Sequence, residues 1–243
     1  MKKVLKLAGI AAALSLLVLG GCAASRISTA AQLARDSEPF QYNPPNAVLR
    51  LLVVGDSTGV GTGASAPTNS LAGLLAQAFP GLAIDNLAQD GATFEGVVQQ
   101  LQRSTERFDV VLIQAGGNDV IRLRGDDAMR ADIERAIVLA AGRADHVLVM
   151  PAGNVGNAPF FFPPVSSLMT TRAERLHRHV KAAVLQHGAV YINLFKDAAK
   201  DPFANNPSLH AADGLHPSDA GYRIWFDEIT RQADLATLLA RAG

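Results

Sequence analysis

The chain has a single cysteine, Cys22, in 243 residues, so no disulfide can form within it. It has no excess charge, with 22 basic and 22 acidic side chains. That balance argues against nucleic acid as a partner and offers no polybasic surface to anionic lipid. No repeat and no low-complexity segment interrupts it. Its most apolar stretch, Leu7 to Leu19, falls short of the roughly 20 residues that cross a bilayer.

That stretch has another reading. Lys2, Lys3 and Lys6 precede it and Leu19-Gly20-Gly21-Cys22 follows, the order of a basic, an apolar and a small-residue region in an export signal. The ending resembles the bacterial lipobox, which implies cleavage before Cys22 and acylation of its thiol. Removal of residues 1–21 leaves 222 residues and takes away three lysines and no acid, so 19 basic face 22 acidic side chains, a charge of −3. Membrane attachment would then come from the lipid on Cys22. Ala23 is not the Asp that retains enterobacterial lipoproteins at the inner membrane, so an exported, outer-membrane protein facing the periplasm is expected. Residues 22–47, rich in Ala and Ser and closed by Asn43-Pro44-Pro45, read as a flexible tether, with room for a short helix over Ile27–Arg35. Fully extended, its 23 residues from Ala23 to Pro45 span at most about 75 Å. Residues 48–243 are long enough for one buried core.

Within that domain, apolar runs alternate with helical periodicity. Strands are predicted at Leu49–Val54, Leu82–Asn86, Val110–Gln114, Val147–Met150 and Val190–Leu194, nearly continuous runs suited to a parallel sheet covered on both faces. Helices are predicted at Ser70–Phe79, Thr93–Gln102, Asp126–Ala141, Ser166–His187 and Ser218–Leu239. The fourth places Met169, Ala173, Leu176, Val180 and Val184 on one face and stops at Gly188. Asp126–Ala141 stripes Met129, Ile133 and Ile137 before Gly142. The alternation predicts a doubly wound α/β fold with a five-stranded parallel sheet, whose ligands gather beyond the carboxyl ends of the strands.

Three islands fall at such ends. Gly55-Asp56-Ser57 follows the first strand, Gly116-Gly117-Asn118-Asp119 the third, and Asp213-Gly214-Leu215-His216-Pro217 precedes the last helix. A serine, an amide donor and a carboxylate–imidazole pair are the groups that acyl transfer needs. Asp213 and His216, three residues apart on a turn, are placed for the carboxylate to hold Nδ1–H while Nε2 faces the serine. Each island has a plainer use: Asp56-Ser57-Thr58 as a helix cap, Asn118 as a turn residue. A rival motif, Gly59-Val60-Gly61-Thr62-Gly63-Ala64, fits the loose dinucleotide pattern, with Asp85 in the place of the ribose-binding acid. It leaves Asn118, Asp213 and His216 without roles. His146, His177, His179, His187 and His210 read as surface histidines, and no metal and no cofactor are expected.

In order and spacing the islands resemble the SGNH, or GDSL, hydrolase superfamily, with a further block in Asn86-Leu87-Ala88-Gln89-Asp90-Gly91-Ala92-Thr93. Thr58 stands where the family name has Leu. The resemblance implies a three-layer α/β/α flavodoxin-like fold, a Ser57/His216/Asp213 triad, and an oxyanion hole from the N–H groups of Ser57 and Gly91 and the side chain of Asn118. The expected substrate is a short- or medium-chain acyl ester, a thioester or a lysophospholipid, with O-deacetylation of an envelope glycan second. A non-catalytic envelope-binding lipoprotein would have no need of all four groups. Pro159-Phe160-Phe161-Phe162-Pro163-Pro164 after the fourth strand is the candidate acyl site, through Phe160, Phe161 and Phe162. The oligomeric state stays open.

Overall fold

The computed structural model describes residues 24–240; the export signal and Cys22 lie outside that range. Helix α1 covers residues 24–36. Strand β1 (Leu49–Gly55) leads into a four-residue helix α2 (Ser57–Val60), then α3 (Leu71–Ala78), β2 (Leu82–Asn86), α4 (Phe94–Arg103) and β3 (Phe108–Gln114). A short α5 (Gly117–Ile121) and α6 (Asp126–Ala141) precede β4 (Ala144–Val149), and α7 (Val165–His187) precedes β5 (Val190–Tyr191). The chain closes with α8 (Pro202–Asn205), α9 (Asp219–Gln232) and α10 (Leu235–Leu238). The sheet order is β2-β1-β3-β4-β5, and every pairing is parallel. This is the predicted five-stranded α/β fold.

Period-two alternation explains why the strand centres are apolar on both faces. Leu52 and Val54 of β1, Val111 and Ile113 of β3, and Val147 and Val149 of β4 face one core, which α4, α6 and α7 cover with Phe94, Leu101, Ile133, Met169 and Leu176. The intervening Leu51 and Val53, Val110 and Leu112, and Leu148 face the other, covered by α3 and α9 through Leu71, Leu75, Tyr222, Trp225 and Ile229. Three layers result. Each fully buried Leu, Ile or Val contributes about 1.5–3 kcal/mol, so both faces of the sheet are strongly held.

Two expectations are corrected. The predicted strand Val190–Leu194 is regular only over Val190–Tyr191; Ile192 N–H still donates to the Val149 carbonyl at 2.9 Å, and beyond it the Gln232 side chain takes over the backbone of Asn193, accepting from its N–H at 2.7 Å and donating to its carbonyl at 3.1 Å. The predicted helix Ser218–Leu239 is two helices, broken at Asp234 (φ 47°), a left-handed turn that lets Leu235 and Leu239 reach the core. Within the expected tether 22–47, residues 24–36 are helical, and Tyr42 pairs antiparallel with Ile84, N–H to carbonyl both ways at 3.0 and 2.6 Å. Phe40 and Tyr42 cover apolar core, and the pairing shields the edge of β2.

The end of β1 carries the first island, and its geometry is tightly set. Gly55 (φ 155°) passes so close to β3 that a Cβ there would lie 1.9 Å from the Gln114 carbonyl oxygen. That carbonyl accepts the Asp56 N–H at 2.8 Å. Buried Gln100 of α4 clamps the same glycine, accepting from its N–H at 2.7 Å and donating to its carbonyl at 2.8 Å. Overpacking ordinarily costs about 1–3 kcal/mol, and here the obstacle is backbone. Gly55→Ala is therefore expected to lower stability by more than about 3 kcal/mol in urea unfolding followed by circular dichroism. A variant within about 0.5 kcal/mol of the parent would mean that the strand end yields.

Candidate active site

Asp56 does cap a helix: its carboxylate accepts the Thr58 N–H at 2.9 Å and the Thr58 hydroxyl at 2.7 Å. The cap does not exclude a second use of its neighbour. Ser57 is the first residue of α2, so its N–H is among those without an intrahelical acceptor, and its Oγ lies 2.8 Å from His216 Nε2. His216 Nδ1–H donates to Asp213 Oδ2 at 2.6 Å. The other Asp213 oxygen accepts the N–H groups of Leu215 (2.9 Å) and His216 (3.1 Å), a tight turn made possible by Gly214 (φ 72°). Sequence spacing thus becomes a relay that runs from a buried carboxylate to a hydroxyl.

Its electrostatics follow from that wiring. Asp213 is fully buried, and burial alone would raise its pKa. The hydrogen bond and charge of His216 and the two backbone donors outweigh burial and hold the carboxyl below its ordinary value, so it is ionised and fixes the proton on Nδ1. Asp56 is buried too, and there desolvation wins and raises the pKa, against its Thr58 hydrogen bonds.

Asn118, the second residue of α5, donates one amide hydrogen to the Ala92 carbonyl at 3.1 Å, which fixes the side chain and leaves its second hydrogen for a ligand. Gly91 (φ 74°) faces the same cleft. The cleft measures about 300 Å³, and Ser57, Gly91, Asn118 and His216 lie along it with Ile121, Val155, Leu215 and Trp225. It opens beyond the carboxyl ends of the strands, as the fold predicts.

The three phenylalanines separate. Phe160 lines the cleft, and its N–H donates to the Gly214 carbonyl at 2.9 Å, tying this loop to the His216 turn. Phe161 meets Phe160 edge-on at 5.0 Å and packs against the core. Phe162 is 42% exposed beneath the Arg26 guanidinium, 4.6 Å from its ring centre. Of the three, only Phe160 lines the cleft, because successive residues of the loop point in different directions. The dinucleotide pattern has no counterpart in the geometry: Gly61 packs against Ser70 and Gly63 against Pro217, and Asp85 pairs with Arg50 at 2.8 Å.

His177 is corrected from surface to interior. It donates from Nε2 to the Ala152 carbonyl at 2.8 Å and accepts the Tyr191 hydroxyl at Nδ1, 2.6 Å away; burial lowers its pKa to about 4. His210 lines the cleft with Nε2 on the Phe203 carbonyl at 3.1 Å, its pKa lowered by burial. His146 is exposed, whereas His179 and His187 are half-buried beside Asp126 and Glu134. Among the described residues no group of three His, Cys, Asp or Glu side chains is placed to hold a metal.

Two positioning residues escaped sequence reasoning. Gln100 interrupts the apolar face of α4 made by Phe94, Val97, Val98 and Leu101, and a polar residue on such a face was the available signal. Asp119, fully buried, accepts the Phe94 N–H at 3.0 Å and so caps α4 from a distant element. It lies 3.7 Å from Arg124, which also pairs with Asp132 at 2.8 Å.

Comparison with known proteins bears on the family and the fold. The model of the GDSL-like lipase/acylhydrolase family matches residues 53–224. A GDSL-like esterase of Mycobacterium tuberculosis is 28% identical over 187 residues, 74% of this chain; the chain spans 60% of that relative's length. Among solved structures, TesA superposes with a TM-score of 0.61 at 21% identity, covering 78% of this chain and 99% of its own. An acetylxylan esterase, Axe2 of Geobacillus stearothermophilus, gives 0.58 at 19% identity over 77% of this chain and 94% of its own. At those identities the likeness is one of fold.

Burial, the largest influence on Asp119, lifts its pKa to about 6 against the pull of Phe94 N–H and Arg124. Its unfolded value is about 3.9, so the folded state binds the proton more tightly. Stability from this group is full below about pH 4 and is lost as pH rises to about 6. Asp119→Asn keeps an acceptor for Phe94 and removes the titration. Between pH 4.5 and 7, the wild type is expected to lose on the order of 2 kcal/mol relative to the variant in denaturant unfolding. An equal gap at both pH values would mean an unshifted carboxyl.

Proposed function

The chain belongs to the GDSL-like lipase/acylhydrolase family, and we propose that it hydrolyses acyl esters through Ser57, His216 and Asp213 by way of an acyl-enzyme. The observation that carries this reading is the continuous relay at the cleft: Asp213 to His216 at 2.6 Å and His216 to Ser57 at 2.8 Å. His216 takes the Ser57 proton as Oγ attacks the carbonyl carbon, and Asp213 stabilises the imidazolium. The oxyanion meets the N–H groups of Ser57 and Gly91 and the free amide hydrogen of Asn118. Collapse transfers the proton to the leaving alcohol. Water, activated by the same imidazole, then releases the acid.

The apolar walls of the cleft favour a short- or medium-chain acyl group, on a simple ester, a thioester or a lysophospholipid, over an acetylated envelope glycan. A 300 Å³ space is far larger than an acetyl group needs. We further propose that the domain is anchored through an acyl group on Cys22 in the bacterial envelope, at the outer membrane facing the periplasm. Support for this comes from the basic, apolar and Leu19-Gly20-Gly21-Cys22 order of the first residues.

A fluorophosphonate probe is expected to label the wild type and not Ser57→Ala, which should also lose ester turnover. Asn118→Ala should lower kcat by about 10²–10³ (2.7–4 kcal/mol) and Asp213→Asn by roughly 10⁴. Wild-type turnover in Ser57→Ala would end the serine mechanism. For the anchor, mass spectrometry of protein from its native membrane is expected to find an acylated Cys22 at the mature N-terminus, and Cys22→Ser should abolish that species. An unmodified Cys22 within a longer chain would rule the anchor out.

A further inference from the structure

We infer that helix α1 is a wall of the acyl site and that Ala30 and Ala34 set the length of chain it accepts. This rests on the ester-hydrolase reading of the same cleft. The helix precedes the region matched by the family model, which begins at residue 53, so its part in the site belongs to this chain's own N-terminal segment.

The side chains of the helix divide by periodicity. Arg26, Thr29, Ala30, Leu33 and Ala34, with Ser37 just past the helix end, are partly covered, while Ile27, Ser28, Ala31, Gln32, Arg35 and Asp36 are exposed. The covered positions follow the i, i+3, i+4, i+7 pattern of a face laid against the protein. A helix docked only for stability would put its bulkiest apolar residues on that face. This one leaves Ile27 60% exposed and, beside the half-covered Leu33, turns two alanines inward, both lining the cleft that holds Ser57 and His216. A methyl group at each position leaves open the space that a larger side chain would fill.

The helix is also fastened to the rim of the cleft. Arg26 donates to the Pro159 carbonyl and lies over the Phe162 ring. Arg26, Ala30 and Ala34 are spaced by four, so the fastening point and the two wall residues share one stripe. Pro159 is next to Phe160, which lines the cleft and bonds the His216 turn through Gly214. Helix and loop together form one continuous lip. This assigns a use to Phe162 that sequence reasoning misplaced: it holds the helix, and the helix meets the chain.

The test compares wild type, Ala30→Leu, Ala34→Phe and Arg26→Ala on p-nitrophenyl esters from acetyl to palmitoyl. Each methylene that loses its apolar contact reduces selectivity by roughly fourfold, so exclusion of two lowers it by about tenfold or more. In Ala34→Phe the ratio of octanoyl to acetyl kcat/KM is expected to fall at least about tenfold; Ala30→Leu should act in the same direction. Arg26→Ala, which loosens the lip without filling it, should raise KM for long chains by a larger factor than for acetyl. An unaltered chain-length profile in both alanine variants would overturn the proposal, as would equal loss at every length in protein that melts normally. Displacement of a dansyl-labelled fatty acid by free fatty acids of rising length reads the wall without turnover. Tighter exclusion of long acids by Ala34→Phe supports the wall even if Ser57 proves inert to fluorophosphonate, which would sink the serine mechanism alone. Identical affinities in variant and wild type would sink the wall alone.

Discussion

The approach of Gly55 to the Gln114 carbonyl is the constraint on which the site depends. A parallel sheet buried on both faces gives each strand little freedom, and here β1 stops where a side chain has no room. The chain must leave β1 with Asp56 already bonded to β3 and with Gln100 holding the glycine from the helical layer. Ser57 is therefore delivered by the sheet, not by the mobility of a loop. A hydroxyl that must lie within hydrogen-bond reach of an imidazole 159 positions away in the chain needs such a fixed origin.

The same frame sorts three buried aspartates into different states. Asp213 receives a hydrogen bond from His216 and two from backbone N–H groups, enough to keep it ionised despite burial. Asp119 has one oxygen on Phe94 N–H and the other without a hydrogen-bond partner, and its pKa rises to about 6. Asp56, occupied with Thr58, is also raised. Environment assigns the roles: the carboxylate that faces the histidine is held most firmly in its charged form, and the other two, with pKa values raised by burial, hold backbone in place around it.

Much of this was legible in the chain. Strands buried on both faces read as apolar runs, so fold class came through, and the islands at their ends are short and contain residue types with few other uses in combination, which is why Ser57, Asp213 and His216 could be named before the structure joined them by hydrogen bonds. Losses occurred wherever a tertiary partner overrode a local pattern. Val190–Leu194 looks like a strand, but Gln232 captures Asn193. Ser218–Leu239 looks like one helix, but Asp234 turns so that Leu235 reaches the core. His177 sits on the face of a long helix, and only the fold reveals that Ala152 and Tyr191 enclose it. The Phe160–Phe162 run announced an apolar loop and could not announce that three adjacent rings would take three separate surroundings.

Residues 22–47 are the instructive case, because composition argued for a spacer with a reach of tens of ångströms. Alanine suits a helix that needs no apolar stripe of its own, and an Ala-rich segment gains order from whatever it docks against. Here it docks on the cleft through Arg26 and its two inward alanines. If Cys22 carries the proposed lipid, the anchor stands two residues before α1, at most about 7 Å of extended chain. The wall of the acyl site and the membrane attachment would then be one short segment. A hydrolase so mounted would not sweep a wide volume for soluble esters. Its cleft would stay within about 22 Å of the lipid attachment, two extended residues plus the helical rise to Ala34, near a surface where acyl chains are already concentrated and where an apolar groove gains most from facing them.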